Sequence, residues 1–176
     1  MKKLLVFVGI VAAFCFYCIV SNEMDLRKQA TVEGREAAIA EKYEGAVITS
    51  EKEVDGYILS AFEVKEKHGY AVFIPVGEGK YDLQTYNGSP RKKDRLVFGT
   101  LDIGNDNSYE IYICGDENIE YLDVTIRDTS TGELLQKEQI SLKDSCIGVL
   151  KRDPVVWAWQ TDVIGYDAEE NAYDLA

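Results

Sequence analysis

Few side chains in this sequence have both the type and the spacing that chemistry demands. His68 is the only histidine. It stands in Glu66-Lys67-His68-Gly69, a charged segment that reads as an exposed turn, and no cluster of partners accompanies it that would build a triad or a zinc site. Gly77-Glu78-Gly79-Lys80 is too short for a phosphate loop and joins two strand-like runs instead of opening a helix. Asp102, Asn105, Asp106 and Asn107, with Glu110 beyond them, offer hard oxygen ligands around Gly104 that suit calcium. Their spacing is not that of an EF-hand, and Asn, Asp and Gly are also what a hairpin turn requires. Asp167, Glu169, Glu170 and Asp174 read as a solvated acidic edge. The expectation is a protein with no catalytic residues, no metal and no cofactor.

Three further groups bear on binding. Cys114 and Cys146 are the only cysteines outside an apolar amino-terminal run, and either a disulfide or two buried thiols fits them. Arg91, Lys92, Lys93 and Arg95 form one basic patch in an acidic domain, a solvated loop or a contact for lipid head groups or an acidic partner. Trp157 and Trp159 are two apart, so on a strand both rings leave by one face. An inward face makes them core anchors, the reading preferred for tryptophan, and an outward face makes them a platform for a sugar or a partner. Asn87-Gly88-Ser89 fits a glycosylation acceptor but reads first as a hairpin turn.

The elements that carry these residues begin with Leu4 to Val20, seventeen residues without a charge behind Lys2 and Lys3. As a helix the run is about 26 Å long, the short end of what crosses a bilayer core. No small-x-small site follows it, so an uncleaved anchor is expected over a removed signal, with residues 1–21 in the membrane and the domain on the extracytoplasmic side. Cys15 and Cys18 inside the run behave as small apolar groups. Residues 22–44 are rich in helix formers and close on Gly45, which predicts a helical stalk of about 35 Å.

Beyond Gly45 the period changes. Short β-branched and aromatic runs alternate with turn residues, and Leu122, Val124 and Ile126 oppose Asp123, Thr125 and Arg127 across one strand. The fold class expected is mainly β, an antiparallel β-sandwich of immunoglobulin-like architecture over residues 45–176, preceded by the transmembrane and stalk helix. Removing Lys2 and Lys3 from 19 basic residues leaves 17 against 31 acids, a formal charge of −14 that repels nucleic acid. The function expected is a non-enzymatic interaction or accessory module, held in the membrane by Leu4 to Val20 and meeting another membrane or envelope protein. The alternatives are a carboxylate-based envelope glycosidase, or a carbohydrate or ligand binder using Trp157 and Trp159.

Overall fold

The structure is a computed structural model that describes residues 2–86, 91–92, 96–103, 107–152 and 158–175, with the backbone alone at 2–10, 12, 85, 86 and 91. Among the described residues two helices, α1 (Lys2–Lys28) and α2 (Val32–Ala40), precede twelve strands. The strands are β1 (Val47–Val54), β2 (Tyr57–Val64), β3 (Lys67–Gly77), β4 (Lys80–Tyr86), β5 (Arg91–Lys92), β6 (Leu96–Ile103), β7 (Asn107–Cys114), β8 (Tyr121–Asp128), β9 (Leu134–Ser141), β10 (Ile147–Arg152), β11 (Trp159–Tyr166) and β12 (Ala172–Asp174). They form three antiparallel sheets and no closed barrel among the described residues: β1-β2-β3-β4 with β5 also on β3, then β10-β7-β6, then β12-β11-β8-β9.

Side-chain alternation stacks these sheets. On β7 the odd residues Tyr109, Ile111 and Ile113 pack with Leu59, Ala61, Tyr70 and Val72 of the first sheet, while Tyr112 and Cys114 pack with Leu122, Val124, Ile126 and Val163 of the third. The second sheet is therefore the middle layer, apolar on both faces. The first sheet is covered twice as well, because Phe62, Ala71 and Phe73 turn the other way and meet Ile39 of α2. This is a mainly β arrangement consistent with a sandwich, with three sheet layers and a helix on one flank. Leu122, Val124 and Ile126 of β8 are buried and Arg127 is exposed, as the alternation of that strand requires; Asp123 is half-buried.

Turn chemistry sets the register of the first sheet. Asp55 and Gly56 lie at φ 50° and 82° and close the β1–β2 hairpin in two residues, the conformation that Asp-Gly favours. Tyr109 donates to the Asp55 carboxylate at 2.5 Å and so ties this turn to the middle sheet. The β2–β3 hairpin turns at Lys65 and Glu66, with Lys65 at φ 58°. That placement corrects the reading of Lys67-His68-Gly69 as a turn: all three residues are in β3, and His68 is 3% exposed opposite Glu63.

The stretch 22–44, expected as one helical stalk, is divided. Helix α1 runs unbroken through the apolar segment to Lys28, and Thr31 caps α2 by accepting from Gly34 N–H at 3.1 Å. Helix α2 lies on the first sheet, where Arg35 is 5% and Ile39 1% exposed. Glu23, three residues past the apolar run, is in ion-pair contact with Lys80 of β4. The domain thus begins beside the end of the run and is not raised on a spacer. Among the described residues no helix is long and apolar enough to cross a membrane. The Leu4–Ile10 half of the expected span lies outside the described side chains.

Candidate functional site

A cavity of about 240 Å³ opens where the ends of the first and second sheets meet. Five segments converge on it: Thr49 and Ser50 of β1, Glu63 of β2, His68 of β3, Ile113 to Gly115 and Glu117 at the end of β7, and Asp144 to Cys146 ahead of β10. The pairing of β1 with β2 skips a residue between Ile48 and Ser50, leaving Thr49 extra. A bulge of this kind bends the strand and re-aims its side chains. Here the Thr49 hydroxyl donates back to Ala61 O at 3.3 Å, and Ser50 shares a 2.8 Å hydrogen bond with Ser145.

The chemistry of the lining is acid, hydroxyl, imidazole and thiol. Cys114 and Cys146 are both free thiols, and Cys114 N–H donates to Cys146 O at 3.0 Å. Burial pushes the Cys114 thiol up to about 11. Burial also raises Cys146, against an opposing pull from hydrogen bonding to Thr49 and Ser50. Both therefore stay protonated at neutral pH, the opposite of what a thiolate nucleophile or metal ligand needs. Among the described residues no group of three or more His, Cys, Asp or Glu is placed to hold a metal ion.

A second polar cluster lies between the middle and third sheets. Glu110 is fully buried; Tyr112 donates to its carboxylate, and the Thr161 hydroxyl of β11 reaches it at 3.3 Å. Burial first, then the bond to Glu110, holds the Tyr112 hydroxyl far above the ordinary tyrosine range. These groups bind one another and link two sheets. Glu110 thus faces the interior and is not available to a ligand set with Asp102, which is exposed and accepts from Ser108 at 2.5 Å. Asn105 and Asp106 lie outside the described residues.

The residues singled out for binding are not gathered together. Arg91 and Lys92 form β5, their backbones paired with His68 and Lys67 on the first sheet, and Lys92 is exposed. Lys93, Arg95, Trp157 and Asn87-Gly88-Ser89 lie outside the described residues. Trp159, on the third sheet, is half-buried against the core with the Arg152 guanidinium 3.6 Å above its ring. Of the acidic tail, Asp167 is buried and works as a turn staple, accepting from the backbone of Glu169 and Asn171 and from the Tyr173 hydroxyl.

The cavity itself escaped sequence reasoning because its wall comes from five separated segments. One local signal was present: Asp55-Gly56 fixes the hairpin that sets β1 against β2 and brings the bulge at Thr49 to the cavity wall. Comparison with protein-family models, with curated proteins and with solved structures yields no match for this chain.

Proposed function

We propose that this chain is a single-pass, membrane-anchored module with its β domain, a sandwich of immunoglobulin-like type, on the extracytoplasmic side, and that it acts by binding another membrane or envelope protein. The observation that carries the reading is the surface of α1. Val11, Phe14, Phe16, Tyr17, Ile19 and Val20 are between 39% and 69% exposed. At 100° per residue these positions point all round the helix. A helix apolar on every side is stable only when something apolar surrounds it, and among the described side chains of the run, 11 and 13–20, every one is exposed. A bilayer supplies that surrounding, and Lys2 and Lys3 at the short end favour export of the rest.

Binding is favoured over turnover because the cavity thiols are held neutral and the fully buried Glu110 is occupied by hydroxyls. Trp159 beneath Arg152 offers an aromatic platform little open surface. Attachment at the bilayer raises the effective concentration of the domain toward other membrane proteins, so weak contacts suffice.

The test compares crosslinking in intact membranes of the wild type with a variant carrying Arg91→Ser, Lys92→Ser, Lys93→Ser and Arg95→Ser. A discrete adduct with one envelope protein, weakened in the variant, is expected. Absence of any adduct, together with hydrolysis of an envelope polysaccharide by the purified chain that is lost on neutralising a carboxylate, would replace binding with a glycosidase.

A further inference from the structure

We propose that the flank where β6 and β11 border their sheets takes up an extended peptide segment of a partner protein, one that carries basic side chains and adds to β11 as a further strand. The inference rests on the reading of the chain as a binding module, and it names a surface apart from the Arg91 to Arg95 patch.

The third sheet stops short of covering the second. Opposed residues of an antiparallel pair leave the sheet by the same face, so Leu96, Phe98, Thr100 and Asp102 of β6 share a face with Cys114, Tyr112, Glu110 and Ser108 of β7. All four β7 residues are buried, and Tyr112 and Cys114 pack on the third sheet. On β6 only Leu96 is buried, in the same cluster as Leu175, the residue after β12. Phe98, Thr100 and Asp102 are exposed, Phe98 by 47%. Cover over β6 is thus lost where β12 stops.

Backbone pairing stops at the same place, because β12 reaches only Ile164 to Tyr166 of β11. Thr129 N–H donates to Ala158 O, and Asp167 N–H to Asn171 O. Alternation from these two bonds turns the even-numbered residues of β11 toward β8 and the odd-numbered ones toward β12. The N–H and C=O of Trp159 and Thr161 therefore point past the end of β12, where no described strand lies beside them. A cavity of about 470 Å³ opens at this step, lined by Asp162, Val163, Ile164, Ala172 and Asp174.

An extended segment in the line of β12 satisfies those backbone groups. Its residues opposite Trp159 and Thr161 point inward, over the uncovered side of β6, and those between them point outward beside Asp162 and Asp174. Open edges are commonly guarded by lysine or proline, but β6, β11 and β12 carry neither, and their only charged residues are Asp102, Asp162 and Asp174, all exposed. The complementary segment alternates apolar residues inward with basic residues outward.

The experiment titrates the full chain, folded in nonionic detergent, with the capped peptide Lys-Val-Lys-Val-Lys-Val-Lys and reads amide exchange residue by residue. In the free chain Trp159 and Thr161 should exchange about tenfold faster than Gln160 and Asp162. The peptide should slow Trp159 and Thr161 by about tenfold and leave the α2 amides unchanged. A peptide N-methylated at its valines should protect neither, and one with glutamate for lysine should bind about tenfold more weakly at low salt than at high salt relative to the lysine peptide. Asp162→Lys with Asp174→Lys should reverse that charge preference at an unchanged melting temperature. The proposal is overturned if the two amides are already protected in the free chain, or if the lysine peptide at about 1 mM does not protect them. Equal protection by the N-methylated peptide also overturns it, as does protection that grows with protein concentration alone, which would make a second copy the occupant. The amide readout does not depend on the membrane crosslink, so either can fail without the other.

Discussion

Helices α1 and α2 are separated by three residues and obey opposite rules. Helix α2 has nine residues, too few to be stable alone, and persists because Ile39 packs against Phe62 and Phe73 while Arg35 joins Glu51. Helix α1 has twenty-seven residues, and the described side chains of its apolar run, 11 and 13–20, are all exposed. One helix is made by the sheet beneath it. The other is suited to a surrounding that the chain does not contain. The contrast shows that hydrophobicity alone does not place a helix in a core: Ile39 is one apolar residue at the right height over a sheet, whereas the described side chains of the apolar run, 11 and 13–20, are exposed.

The sharpest way to break this contrast is to remove what holds α2. Arg35→Ala leaves the Glu51 carboxylate, 20% exposed, without its ion partner, and should cost about 3 kcal/mol in urea unfolding. Ile39→Ala should cost about 2–3 kcal/mol by opening a void against Phe62 and Phe73. Val124→Ala, in the core between the second and third sheets, should cost about 2 kcal/mol without disturbing α2, as read by protection of the α2 amides in hydrogen exchange.

Acid gives a smaller effect with a definite sign. Burial raises the Glu51 carboxyl, but the bonds from Arg35 at 2.5 and 2.8 Å and from Ser60 at 2.5 Å outweigh it and hold the group below its usual value. A depressed carboxylate contributes stability above its unfolded pKa, near 4.5, and loses it as pH falls through the folded value. Asp128 adds to the same acid limb: the Ser130 hydroxyl, then the backbone of Thr131 and Ser130, hold it at about 2. Glu51→Gln should flatten the decline of the unfolding midpoint below about pH 4.5. The smallest expected change belongs to α1, where Phe16→Ser should alter domain stability by less than about 0.5 kcal/mol.

The parts of this fold legible in the sequence are those with local causes. The alternation of β8, the Gly77-Glu78-Gly79 turn and the β period after Gly45 depend on neighbours two to four residues away. The third layer was not legible, because β2, β3 and β7 are covered on both faces and their unbroken apolar runs do not say by what. His68 was misread for a related reason: charged residues at 65–67 suggest a solvated turn, but the left-handed conformation at Lys65 closes the hairpin early and carries His68 inward. Arg35 has its partner, Glu51, sixteen residues away, a pairing that no local spacing marks. The cavity depends on five segments and the bulge at Thr49, a juxtaposition that no spacing in the chain encodes.

The central claim is that α1 is covered by lipid, and carbonate extraction of membranes carrying the full chain tests it most directly. The wild type should stay with the pellet, whereas a chain with Phe14, Phe16, Tyr17 and Ile19 changed to serine should pass to the supernatant with its domain still folded. Release of the wild type by carbonate, as an intact chain still carrying Leu4 to Val20, would contradict the account.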